Sequence, residues 1–182
     1  MPFIPGVGDV LTQPLYDEIT IANGGTAQAV FFTQPVGQGG KTLLNTNMQL
    51  AGQIQAGYNM KVLAIAVNFR IGALLANLKT ILDTGFMQFN IGSKWWWQSP
   101  LRFLPGGVGV IGASDLGAPA AGNSVFSHGT ADPRAIYTLR QPVEITQTES
   151  FNVTCVWTPT NTPTVDTPMT VALHGELTRT VQ

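Results

Sequence analysis

Alternation with a period of two recurs along the chain, and it restricts the possible folds more than any other feature. In "YNMKVLAIAVNFR", residues 58–70, Leu63, Ile65, Val67 and Phe69 fall on one side and Ala64, Ala66, Asn68 and Arg70 on the other. A strand turns successive side chains to opposite faces, so this spacing predicts a strand with one buried face. "FMQFNIG" aligns Met87, Phe89 and Ile91, and "SFNVTCVW" aligns Phe151, Val153, Cys155 and Trp157. In "MTVALHGELTRTV", Val171, Leu173, Leu177 and Val181 share a face opposite Thr170, His174, Glu176 and Thr178. Shorter strands are expected in "DEITIANGG", "TAQAVFFTQP", "AIYTL" and "PVEIT". One segment changes period. Ile71, Leu74, Leu75, Leu78, Ile81 and Leu82 follow helical spacing, which predicts one short amphipathic helix over residues 72–83, ended by Asp83–Thr84–Gly85. Strands dominate without strand–helix alternation, so the fold class is all-β: an antiparallel sandwich or barrel. Ile65, Val67, Phe89, Phe151, Val153, Leu173 and Leu177 are expected to line one core.

The rest of the chain organises around those strands. Residues 1–16 are rich in Pro and Gly with scattered Phe3 and Ile4, which suggests an extended N-terminal arm leading into a single domain over 17–182. Long loops are expected at 35–57 and 104–134; Gly, Ala, Ser and Pro dominate the second. Charge then becomes informative. Only 10 % of the 182 residues are charged, against roughly 25 % in a typical chain. A surface so poor in charge has weak protection against association, and contact cores between proteins are depleted of charge. Nine basic and ten acidic residues give a net charge of -1, which argues against a dedicated nucleic-acid binder, whose surface would show a basic stripe. The start "MPFIPGVGDV" has neither a basic region nor an apolar run, so no secretory signal is expected.

The candidate chemical motifs are weak. "GVGVIG" (Gly107, Gly109, Gly112) has the spacing of a dinucleotide fingerprint, but "ASDLGAPAAG" after it is a poor helix, so a loop is the better reading. His128 lies four residues before Asp132, and His174 two before Glu176; neither pair amounts to a metal site. Cys155, the only cysteine, falls on an apolar face and is expected to be an inert buried thiol. No catalytic residue, metal or cofactor is expected, and the chain is not read as an enzyme. The tryptophan run "KWWWQ" remains. On a regular strand Trp95 and Trp97 share a face and Trp96 points the other way. Packing against a core on one side and a neighbouring subunit on the other is one reading, since Trp is enriched at such contacts. A sugar-stacking platform is its rival, with only Gln98 and Arg102 near in sequence as polar partners.

Several stretches bear a likeness to a known family. They are "FFTQPVGQGGKTLLNTNMQLAGQI", the helix leading into "GFMQFNIGSK", "IYTLRQPVEITQTESFNVTCVW" and "VALHGELTRTV". In this order they resemble the jelly-roll coat proteins of tailless icosahedral bacteriophages. The resemblance implies a single eight-stranded jelly-roll β-sandwich acting as a capsid subunit in the virion shell. Its implied partners are copies of itself and other capsid proteins, with an internal membrane beneath the shell in some members, and no sequence-specific nucleic-acid binding. Many of those coats carry two jelly rolls in tandem, whereas 182 residues hold one. Phe3, Ile4, Trp95, Trp96, Trp97 and Arg102 are the subunit-contact candidates; a carbohydrate-binding, lectin-like jelly roll is the alternative function.

Overall fold

Two antiparallel sheets face each other across the core, in keeping with the alternation. The computed structural model describes residues 8–70, 73–104, 111–115, 124–127, 136–158 and 163–179. Its strands are β1 (Asp9–Thr12), β2 (Leu15–Ile21), β3 (Gln28–Phe31), β4 (Tyr58–Phe69), β5 (Phe86–Ile91), β6 (Lys94–Pro100), β7 (Ile111–Asp115), β8 (Ser124–Ser127), β9 (Tyr137–Ile145), β10 (Phe151–Val156) and β11 (Thr167–Arg179). One sheet runs β1-β11-β4-β9, with β2 also on β11; the other runs β3-β10-β5-β6. β2 pairs with Thr167–Leu173 and β1 with Glu176–Arg179, so the two lie end to end along one side of β11. The break between them falls at Gln13 and Pro14, where proline has no N–H to give the ladder. The one α-helix among the described residues, α1 (Leu75–Thr84), buries Leu78 and Ile81 against the core, close to the expected 72–83.

The inner faces meet as the pattern predicts. Ile65, Val67, Phe89, Phe151, Val153 and Leu173 are all buried, and Leu177 is partly buried against them. Leu63 departs from the prediction. β4 carries a bulge between Val62 and Ala64, with Leu63 as its extra residue: Ala64 pairs with His174 and Val62 with Gly175. An extra residue reverses the parity of a strand. Met60 and Val62 therefore face the core before it, Ile65, Val67 and Phe69 after it, and Leu63 is only half-buried. Gly175 fits this crossing because a Cβ there would stand 1.9 Å from the Lys61 carbonyl oxygen.

Other expectations shift for related reasons. Tyr137–Leu139 of "AIYTL" and the stretch "PVEI" belong to one strand, β9, whose register with β4 slips between Val62 and Ala64; Pro142 sits in the slipped stretch. The arm drawn over 1–16 is too long. Asp9–Thr12 are a strand of the sandwich and Leu15 is buried, while residues 1–7 lie outside the described residues. Residues 35–57 carry no named strand, only isolated bridges at Thr46, Leu50 and Gln53. The stretch 104–134 holds β7 and β8, paired as a separate two-stranded sheet.

A buried acid ties these parts together. Asp17 of β2 is fully buried. One carboxylate oxygen accepts the Phe32 N–H at 2.6 Å, and the other meets Lys41 Nζ at 2.5 Å. Phe32 holds a left-handed φ of 68°, which costs a residue with a Cβ of order 1 kcal/mol. The Asp17 bond on its N–H and the Gly52 N–H on its carbonyl, at 2.7 Å, hold that turn in place. Its neighbour Glu18 accepts two bonds from Arg70, at 2.6 and 2.8 Å, and one from the Asn45 side chain. This pairing holds the Arg70 guanidinium pKa above its ordinary value, chiefly through the hydrogen bond to Glu18.

Two substitutions test this architecture by chemical denaturation. Phe151→Ala removes a ring 5.4 Å from that of Phe32 and is expected to cost about 3–5 kcal/mol. Asp17→Ala leaves the Phe32 N–H and the Lys41 ammonium without their partner and is expected to cost a similar about 3–5 kcal/mol. A loss below about 0.5 kcal/mol in either case, the range of ordinary surface changes, would remove that residue from the framework.

Candidate contact surface along the β6 edge

β6 is an edge of the four-stranded sheet, folded back on β5 by a tight turn at Gly92 and Ser93. Gly92 takes a φ of 58°, the left-handed conformation that two-residue hairpin turns require. The pairing then steps unevenly: Asn90 faces Trp95, but Phe89 faces Trp97. Trp96 is the extra residue of a second bulge. The expectation that Trp95 and Trp97 share a face is therefore corrected, because one inserted residue separates their parities. Trp97 faces inward with Phe89, packs on the core and lies 5.2 Å from the Tyr137 ring at a tilt of 57°. Trp95 is on the outer face. Trp95 and Trp96 are 65 % and 56 % exposed, and together with Phe86, Gln98 and Pro100 they line an open groove along the strand.

Register brings polar residues to the same outer face. One row across β10, β5 and β6 is Asn152–Asn90–Trp95. The next is Thr154–Gln88–Gln98, and the third is Val156–Phe86–Pro100. None of these residues is charged. The Asn90 Nδ2 donates to Asn152 Oδ1 at 3.0 Å, and the Thr154 hydroxyl approaches the same oxygen at 3.3 Å. The tryptophans thus stand beside a band of amides that local reading of "KWWWQ" does not find. The signal lies in the polar positions of "FMQFN" and "FNVTC", but only the pairing register aligns them.

The other candidates fall elsewhere. Arg102 is exposed on the helical turn Leu101–Phe103, with its guanidinium 5.3 Å from the centre of the Phe103 ring. Phe3 and Ile4 lie outside the described residues, as do His128 and Asp132. Gly112 belongs to β7, so the tail of "GVGVIG" is a strand and not the helix a dinucleotide site needs. No group of three His, Cys, Asp or Glu able to hold a metal occurs among the described residues. Nor is any helix among them long and apolar enough to cross a membrane. Cys155 is buried between Met87 and Ala29 of the neighbouring strands, and burial pushes its thiol pKa far up. His174 is half-buried opposite Ala64, and desolvation pushes its pKa down. No family model matches the chain, and no curated protein or solved structure matches it either.

His174, on β11 of the five-stranded sheet, gives the stability of the fold a pH dependence with a definite sign. Its pKa is lower folded than unfolded, so between the two values the unfolded chain binds more protons and stability rises with pH. The contribution of His174 is expected to be level above about pH 6.5, the ordinary histidine value, and to fall as pH drops below it. His174→Gln should flatten that part of the stability profile, as read by thermal melts from pH 7.5 downward. An unchanged slope would show that another group carries it.

Proposed function

We propose that the chain is a virion structural protein: a capsid subunit whose sandwich is a single eight-stranded jelly roll and which self-assembles into an icosahedral shell. The observation that carries the reading is the nesting of strand pairs. β2 pairs with β11, β3 with β10, β4 with β9 and β5 with β6. A long antiparallel hairpin of eight strands, rolled up on itself, produces this first-with-last order. On this reading β1 extends β2 along the same side of β11, and β7 with β8 is an insertion between β6 and β9. Many binding modules and enzymes share such a wrapping, so two further features support the shell. The chain is poor in charge, and the connection between β3 and β4 exposes Leu43 at 63 % and Leu44 at 85 %. Tyr16 donates its hydroxyl to the Leu43 carbonyl, which anchors that connection to β2. A closed shell needs only weak individual contacts, since each subunit engages several neighbours at once. Partners on this reading are copies of the chain, other capsid proteins and any membrane beneath the shell.

Light scattering after size exclusion, with electron microscopy of the same fractions, tests the proposal. Large closed particles are the expected outcome. Leu43→Ser with Leu44→Ser is expected to leave the melting temperature within about 2 °C, as a surface change below about 0.5 kcal/mol does. The same double variant should reduce the particle fraction. A purified chain that stays monomeric at every concentration, with and without its virion partners, would overturn the reading.

A further inference from the structure

We propose that the outer face of the four-stranded sheet binds a neutral oligosaccharide. Trp95 and Trp96 supply its stacking platform, and Gln88, Asn90, Asn152 and Gln98 meet the sugar hydroxyls. This goes beyond the coat reading and does not rest on it. The first ground is the indoles. Two adjacent tryptophans more than half exposed are costly on a strand edge, because each carries on the order of 150–250 Å² of largely apolar surface. A pyranose ring offers an apolar C–H face of matching shape, and its hydroxyls project from the rim.

The second ground is the composition of the rows beside them. Hydroxyls both donate and accept, and a carboxamide does the same through its NH₂ and carbonyl. In the Asn90–Asn152 pair, one N–H of Asn90 is used on Asn152 Oδ1 at 3.0 Å. Among the described residues the Asn90 carbonyl, its second N–H and the Asn152 NH₂ make no further hydrogen bond, and both side chains are partly exposed on the outer face. Gln88 and Gln98 face each other in the next row. The absence of charge in these rows selects the ligand class. Phosphates, nucleic acids and acidic peptides require cations, and cationic ligands require carboxylates; the described residues of these three rows supply neither, and the nearest charge, Lys94, pairs with Ile91 in the inward-facing row. A second protein is a poorer fit, because the core of a protein contact is apolar whereas the tryptophans here border amides.

The third ground is rigidity. Asn90, Gln88 and Asn152 sit on the two central strands, held by ladders on both sides. Ligand groups therefore meet side chains already placed, which reduces the ordering cost of binding. Three spacings of about 4.8 Å make the sheet about 14 Å wide, room for a short run of sugars.

Affinity electrophoresis of the full chain tests the site. Native gels would contain mixed-linkage β-glucan, arabinoxylan, galactomannan or a soluble α-glucan, with polygalacturonate as the anionic control. Retardation by at least one neutral polymer, and none by polygalacturonate, is expected. Trp95→Ala and Asn90→Ala should each weaken it by about tenfold or more, the loss of one anchoring contact. Both variants should keep the wild-type melting curve and light-scattering size distribution. Migration unaffected by every neutral polymer would overturn the proposal, as would retardation that survives both substitutions. A Trp95→Ala chain that loses assembly without any glycan response would assign the face to a subunit contact instead. A wild-type chain that is monomeric yet retarded would remove the coat reading and leave the glycan site standing.

Discussion

The buried carboxylate of Asp17 is the contact on which the layout of the sandwich depends. It projects from β2 at the edge of one sheet, yet it holds the end of β3 in the other through the Phe32 N–H. It also takes the ammonium of Lys41 from the long connection that follows. Without that acceptor, the N–H of a left-handed phenylalanine and the ammonium of a largely buried lysine would both lose their partner, the costly side of hydrogen-bond energetics. Neighbouring bonds continue the same edge. Asn47 accepts the Tyr16 N–H and donates to the Pro14 carbonyl, and the Thr46 hydroxyl donates to the Tyr16 carbonyl. The outer side of β2, a strand edge open to pairing with other chains, is thereby covered by the chain's own loop.

Two single-residue bulges then decide which side chains the protein shows. Leu63 reverses the parity of β4 halfway along its length, which lets a long strand follow the twist of the sheet while keeping apolar residues inside at both ends. Trp96 does the same for β6, sending Trp97 inward against Tyr137 and leaving Trp95 outside. In both places the inserted residue is itself apolar, so the stretch reads as a continuous hydrophobic run. The consequence for function is direct. A regular β6 would have put Trp95 and Trp97 on one face. The bulge divides the run into one packing residue and two exposed ones.

Helix α1 closes one end of the sandwich by a comparable polar device. Its Asn77 is buried, and its amide donates to the Val165 carbonyl and the Thr167 hydroxyl and accepts the Thr164 N–H. That one side chain therefore fixes the helix to the segment entering β11. Such satisfied polar contacts specify a unique arrangement where apolar packing alone tolerates sliding. Surface composition runs the opposite way. Sparse charge and exposed leucines and tryptophans leave apolar surface in water with weak protection against association.

Sequence by itself determined the all-β class, the helix near residues 72–83, the burial of Cys155 and most of the core, because period-two and helical spacing record which face is dry. Ile65, Val67, Phe89, Phe151, Val153 and Leu173 were legible for that reason. Bulges carry no such local signature, since an extra apolar residue looks like one more member of the run. Leu63 and the split of the tryptophans were therefore decided only by the register of paired strands. The same holds for the amide rows. Gln88, Asn90 and Asn152 are visible as polar positions on their own strands, but β5 and β10 lie 60 residues apart in the chain, and only their hydrogen-bonded ladder sets Asn152 beside Asn90. Asp17 is the extreme case. An acid in "DEITI" reads as a solvated strand end, and tertiary structure alone supplies the N–H and the ammonium that let it be buried.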